Sequence, residues 1–180
     1  ELLQSPGLDR NTLARVKINL ADFYLMNGEI WESTLLYSQV DKEFREEMLG
    51  QEARFKNAKL SYFNGDFEWA QAQFNVLKAS TSKLISNDAL DLSVFIMDNL
   101  NSDTTTDAMA LSAAAELLVF QNRFAEAFLR LDTIREGYPD NTLQDDILYL
   151  EAQISEKKRD YLRAAELYQV VAEKFKEDIR

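Results

Sequence analysis

Apolar residues along this chain fall into helix-like runs that are separated by short polar turns. Four turn phrases align, at 27–30, 64–67, 121–124 and 158–161, and read NGEI, NGDF, QNRF and KRDY. Their second positions lie 37 residues apart within each pair (28 to 65 and 122 to 159), whereas the two pairs are 57 residues apart (65 to 122). This spacing predicts repeated helical hairpins with one irregular step.

Small residues recur at fixed distances from these turns. Each turn residue is followed five positions later by a small residue and four positions after that by a large one: Ser33 and Tyr37, Ala70 and Phe74, Ala127 and Leu131, Ala164 and Tyr168. Seven positions before each turn residue stands an alanine: Ala21, Ala58, Ala115 and Ala152. Small side chains let two helices pack at the short end of the ~8–10 Å range. We therefore expect these alanines to be buried where helices cross.

The turn positions have a backbone requirement of their own. Glycine and asparagine enter the left-handed region that closes a helix C-terminus at little cost. Gly28, Gly65 and Asn122 are thus predicted to end the first helix of a hairpin, and Arg159 takes the same place in the last one.

The irregular step leaves room for one additional helix. Removing one period from the 57-residue step leaves 20 residues, enough for a helix and a loop. We assign the helix to 87–100, with Asn87 or Asp88 as its cap and Asp107 as the cap of the next helix, and expect a bend near 85–107. The predicted helices are 9–26, 29–44, 51–64, 67–84, 87–100, 107–121, 124–137, 143–157 and 160–178.

The combined pattern resembles the tetratricopeptide repeat, in its divergent, long-period bacterial form. The motifs that carry the resemblance are Leu20-Ala21-x2-Tyr24 with Ser33-x3-Tyr37, Ala70-x3-Phe74, Ala127-x3-Leu131 with Pro139, and Ala152 with Ala164-x3-Tyr168. The resemblance implies an all-α superhelix of about nine antiparallel helices in a single domain over 1–180. The repeats would span about 12–48, 50–85, 107–140 and 143–178, with the irregular helix at 87–100 between them.

Composition removes several classes of function. The net charge of −11 disfavours a nucleic-acid partner. Histidine and cysteine are absent, which excludes imidazole and thiolate chemistry, and we expect no enzyme activity, no cofactor and no metal. Asp145-Asp146 lacks the third acid of a diphosphate-binding motif, and 103–107 lacks the glycine and closing glutamate of a calcium loop.

The chain also lacks an apolar run long enough to span a membrane. It begins at Glu1 without a methionine, so we expect a segment of a longer protein. The family resemblance favours a bacterial cell-envelope location.

The resemblance places the binding surface on the concave face, which the first helix of each hairpin lines. In this chain the corresponding residues are Asn19, Asp22, Met26, Phe55, Lys56, Lys59, Tyr62, Phe63, Glu116, Phe120, Tyr149 and Gln153. A mixture of aromatic, amide and lysine side chains suits a peptide or a partner helix. The alternative for Phe55, Tyr62 and Phe63 is packing against neighbouring hairpins. A clamp for a terminal carboxylate is disfavoured, because its lysine and asparagine positions are occupied by Ile18 and Asp22.

Two further regions are candidates for contact with a partner. Trp31 and Trp69 begin second helices, at positions that usually face outward, and are either interface hot spots or covered by a neighbouring element. The last helix ends with Val170, Val171 and Phe175, which predicts a further repeat or a contact at that end.

The sequence therefore predicts a non-catalytic scaffold that binds a peptide or partner protein. Two alternatives remain at this point: a helical domain that binds a glycan or small molecule, and a module that self-assembles weakly through the ends of the array.

Overall fold

The computed structural model describes residues 9–100, 106–140 and 142–174, and these residues form an all-α structure with no strands. Within 10–77 and within 106–174 the helices pack on their neighbours in sequence order, as expected for a helical-repeat protein. Their bounds are α1 Arg10–Met26, α2 Ile30–Glu43, α3 Met48–Phe63, α4 Phe67–Leu77, α5 Lys83–Leu100, α6 Thr106–Phe120, α7 Phe124–Gly137, α8 Gln144–Lys157 and α9 Tyr161–Lys174.

The chain divides into two compact units, Glu1–Met97 and Asp98–Arg180, with the boundary inside α5. In the first unit α1 packs on α2, α2 on α3, and α3 on α4. In the second unit α6 packs on α7 and α8 on α9, with further contacts of α8 to α6 and α7. The predicted bend near 85–107 includes residues 101–105, which lie outside the described residues, and stays a prediction.

All four predicted turns adopt the left-handed backbone. The φ angles are +85° at Gly28, +80° at Gly65, +59° at Asn122 and +64° at Arg159. At each turn the N–H of this residue donates to the carbonyl three residues earlier, and the next N–H donates to the carbonyl five residues earlier. This paired hydrogen bonding is the Schellman motif, which satisfies the last carbonyls of the helix. The periodic turn residues of the sequence therefore mark equivalent helix ends.

The small residues of the hairpins lie at the helix contacts. Ala21, Ala58, Ala70, Ala115, Ala127, Ala152 and Ala164 are each at most 4% exposed. Ser33, which replaces alanine in the first hairpin, is fully buried and donates its hydroxyl hydrogen to the Ala21 carbonyl oxygen at 2.6 Å. Because a buried hydroxyl needs a partner, this hydrogen bond explains how serine fits an alanine position.

The junction between α4 and α5 differs from the prediction. Helix α4 was expected to continue to 84 but ends at Leu77, and α5 begins at Lys83 rather than at 87. The hydroxyl of Ser86 donates to the Lys78 carbonyl at 2.7 Å, and Ser82 Oγ accepts from the N–H of Ile85 at 3.5 Å. Serine hydroxyls compete with the helical hydrogen bonds of the backbone, which accounts for the break.

Three predicted caps are corrected by the same helix bounds. Asn87 and Asp88 lie inside α5, and Asp107 lies in the first turn of α6, one residue after its start. Acidic residues are favoured in a first turn as well as at a cap, which accounts for the position of Asp107, whereas the first turn of α5 contains no acidic residue.

Each unit contains an ion pair between the second helix of one hairpin and the first helix of the next. In the first unit Arg54 Nη2 of α3 lies 2.8 Å from Asp41 Oδ1 of α2. In the second unit Arg135 Nη2 of α7 lies 2.7 Å from Glu151 Oε1 of α8, and Glu151 is only 7% exposed. Asp41 and Arg135 both lie 13 positions after their turn residues (28 and 122). The equivalent position of the two hairpins is therefore acidic in the first unit and basic in the second.

Candidate binding surfaces

The predicted concave-face residues of the first unit differ in accessibility. Asn19 and Met26 are exposed, whereas Asp22, Phe55, Lys56 and Lys59 are half-buried. All six lie on α1 and α3, the first helices of the two hairpins.

Asp22 and Lys56 are paired with each other. Lys56 Nζ lies 2.9 Å from both carboxylate oxygens of Asp22, and Tyr37 donates its hydroxyl hydrogen to Asp22. Burial, and then the hydrogen bond to this carboxylate, raise the pKa of the Tyr37 hydroxyl well above its ordinary value of 10.0. The ammonium of Lys56 is therefore engaged in a contact between hairpins. Lys59, also on α3, places its ammonium over an aromatic ring, 5.3 Å from the Phe63 centroid.

The placement of Tyr62 and Phe63 on an open surface was wrong. Tyr62 is fully buried and Phe63 is 8% exposed. The Tyr62 ring centroid lies 5.7 Å from those of Phe63 and Phe67 and 6.2 Å from that of Phe95 on α5. The additional helix α5 supplies part of this aromatic cluster, so the face of α3 that would be open in a regular array is covered here.

In the second unit the predicted residues lead to an open cavity. Glu116, Phe120 and Gln153 are half-buried, and Tyr149 is 49% exposed. Tyr149 and Gln153 line a cavity of about 520 Å³. We call it the tyrosine cavity, and its lining residues are Tyr149, Gln153, Glu156, Lys157, Tyr161 and Tyr168.

The tyrosine cavity is held by contacts between α8 and α9. The Tyr149 and Tyr168 rings meet edge to face with centroids 5.7 Å apart, and Tyr168 donates to Glu156 Oε2 at 3.1 Å. Partial burial, and then this hydrogen bond, raise the pKa of Tyr168 to about 12. Sequence reasoning missed Tyr161 and assigned Tyr168 only a packing role. Tyr168 therefore does both: its ring packs against Tyr149, and part of its side chain lines the cavity.

Both tryptophans are exposed and lie in one groove of the first unit. Trp31 is 74% exposed and Trp69 is 56% exposed, so no described part of the chain covers either side chain. The groove, which we call the tryptophan groove, has a volume of about 440 Å³. It is lined by Ile30, Trp31 and Thr34 of α2, Asn57, Leu60 and Ser61 of α3, Asn64 at the end of α3, and Trp69 of α4.

The described part of the chain contains neither a cluster of metal ligands nor a helix suited to cross a membrane. Among residues 9–100, 106–140 and 142–174 no cluster of three acidic side chains is placed to hold a metal ion. Asp145 and Asp146 lie in the first turn of α8, where the helix dipole favours them. Part of the 103–107 loop lies outside the described residues. None of the described helices combines the length and apolarity that crossing a lipid bilayer requires.

Comparison with known proteins gives no indication of function. No family model, curated protein or solved structure matches this chain. The tetratricopeptide resemblance therefore rests on the residues and their spacing.

Proposed function

We propose that this chain is a non-catalytic scaffold for protein–protein contacts that binds a peptide or a partner protein on the surface of its first helices. The observation that carries the proposal is the tyrosine cavity, in which Tyr149 and Gln153 of the predicted concave face meet Tyr161 and Tyr168 of α9. Tyrosines supply large contact areas with few rotatable bonds and a hydroxyl that keeps its hydrogen bond, which makes them frequent anchors in protein interfaces.

The chemistry of the tyrosine cavity suits a peptide segment. Its volume of about 520 Å³ is that of a site for a few side chains. Gln153 can both donate and accept hydrogen bonds with a peptide backbone, and Glu156 and Lys157 offer one charge of each sign. No reaction is assigned to these groups, and the sequence contains neither histidine nor cysteine.

A displayed random-peptide library provides the test, because it requires no knowledge of the natural partner. We expect enriched peptides that bind the purified chain, and we expect Tyr149→Ala to weaken them by about tenfold, as loss of an aromatic anchor does. Leu129→Ala is the matched control, since Leu129 is 65% exposed on α7 and does not line the cavity. Enrichment of peptides that bind Tyr149→Ala and wild type equally would contradict the assigned surface.

A further inference from the structure

The tryptophan groove combines two exposed indoles with polar side chains that carry no charge. Charged residues make up 28% of the chain, yet all eight residues that line the groove are uncharged. A ligand with a formal charge would find no ionic partner among them. The occupant that fits best is therefore neutral.

The polar lining consists of amides and hydroxyls. Asn57 and Asn64 each present a carboxamide, which donates through nitrogen and accepts through oxygen. Asn57 Nδ2 donates to Ser38 Oγ at 3.2 Å, which orients that carboxamide. Thr34 Oγ1 donates to the Ile30 carbonyl at 2.9 Å, so its lone pairs remain able to accept. Groups of this kind suit hydroxyls that donate and accept at once.

The indoles supply flat apolar surfaces. The face of an aromatic ring carries negative charge density, so it attracts the weakly positive C–H groups of a ligand. Two indoles in one groove favour a ligand with flat C–H faces, and the amides beside them favour one with hydroxyl edges. Pyranose rings carry both features on a single rigid unit.

We propose that the tryptophan groove binds a neutral saccharide through Trp31, Trp69, Asn57 and Asn64. A nucleotide fits less well, because the chain has a net charge of −11 and the groove has no cation for a phosphate. A charged peptide segment fits less well here than in the tyrosine cavity, because this groove has no counterpart of Glu156 and Lys157. The site uses none of the residues of the tyrosine cavity, so the two proposals stand or fall separately.

The tryptophan content of the chain provides a direct signal for this site. The sequence contains two tryptophans, and both line the groove, so intrinsic tryptophan fluorescence reports on it alone. The chain would first be applied to an array of immobilised oligosaccharides that includes neutral β-glucans, α-glucans, mannans and chitin fragments together with uronic-acid and sulfated glycans. We expect binding to members of the neutral set, and a saturable change in tryptophan emission when the same oligosaccharide is titrated in solution.

Variants separate stacking from general surface effects. Trp31→Ala and Trp69→Ala should each weaken binding by about tenfold in calorimetric titrations, with circular dichroism unchanged because both side chains are exposed. Trp31→Phe should restore part of the affinity. Val76→Ala is the control, since Val76 is 58% exposed on α4 and lies outside the groove.

Three outcomes would overturn the proposal. These are binding to the acidic glycans only, no binding to the array with no fluorescence response, and an emission change caused by library peptides but by none of the neutral oligosaccharides.

Discussion

The hydroxyl of Ser33 on α2 donates a hydrogen bond to the backbone carbonyl oxygen of Ala21 on α1, at 2.6 Å and out of contact with water. The two residues are the small residues of the first hairpin. At both equivalent positions the later hairpins have alanine. The hydrogen bond thus connects two helices at their crossing point, and it adds a polar contact to what is elsewhere a packing of methyl groups.

Ser33→Ala should destabilise the first unit by about 0.5–1.5 kcal/mol, the net value of one intramolecular hydrogen bond. Chemical denaturation followed by circular dichroism would measure it. Ser155→Ala is the matched control, because Ser155 is also buried but donates only to the Glu151 carbonyl of its own helix, at 2.9 Å. An equal loss in both variants would show that the contact between helices has no special role.

The four Schellman turns predict opposite signs for two kinds of substitution. Gly28→Ala should cost about 1 kcal/mol, because its φ of +85° disfavours a side chain although no atom lies within 4 Å of the added Cβ. Arg159→Gly should stabilise the second unit by about 0.5–1 kcal/mol, since Arg159 has a φ of +64°.

Gly137→Ala is the control for the turn substitutions. Its Cβ would also have no neighbour within 4 Å, but the glycine has no positive φ, so alanine should be neutral or mildly stabilising. A loss of stability from Arg159→Gly would mean that the arginine side chain, and not the backbone, determines the energy of that turn.

Gly50→Ala should be the most damaging of the alanine substitutions at the described glycines. An added Cβ would lie 2.0 Å from the carbonyl oxygen of Phe44 and 2.5 Å from its carbonyl carbon. Because backbone atoms cannot move aside as a flexible side chain can, we expect a loss of about 3 kcal/mol, at the upper end for overpacking. Thermal and denaturant unfolding would measure it, and a neutral result would rule out the close approach of α3 to the end of α2.

The alanine crossings predict that larger side chains are not tolerated. Ala70→Leu and Ala127→Leu should each cost about 1–3 kcal/mol, because both alanines are fully buried. Ala125→Leu, on the exposed side of α7, should change the free energy of unfolding by less than about 0.5 kcal/mol. Tolerance of leucine at position 70 or 127 would place the helix crossing elsewhere.

Asp9 predicts an acid dependence of stability at the start of α1. Its Oδ1 accepts from the N–H groups of Asn11 and Thr12, each at 3.0 Å, and hydrogen bonds of which that to the Thr12 hydroxyl is strongest lower the pKa of Asp9 below its ordinary value of 3.8. The folded state therefore favours the carboxylate. The contribution of the Asp9 carboxylate to the free energy of unfolding is complete above about pH 3.8. It is lost as the pH falls through the lowered pKa of Asp9 in the folded state.

Asp9→Asn retains a capping side chain but does not titrate. The difference in Tm between wild type and this variant should shrink as the pH falls below 3.8, whereas all other acids cancel in the comparison. A difference that stays constant with pH would show that the cap does not depend on the charge.

The hairpin register could be predicted from the sequence because its causes are local. A left-handed turn residue and a small side chain at a crossing each impose a requirement on one position, and the repeat places those positions at constant spacing. The four positive φ values and the seven buried alanines occur at the positions that this spacing predicts.

The accessibility of the aromatic residues was decided by tertiary structure. Tyr62 is buried because Phe95, more than 30 positions later in the chain, reaches it from α5, whereas Trp31 and Trp69 stay exposed because no described element covers them. The tyrosine cavity and the tryptophan groove likewise combine residues from different helices. Periodicity along one helix fixes which residues share a face, but only the packing of the other helices determines whether that face is covered.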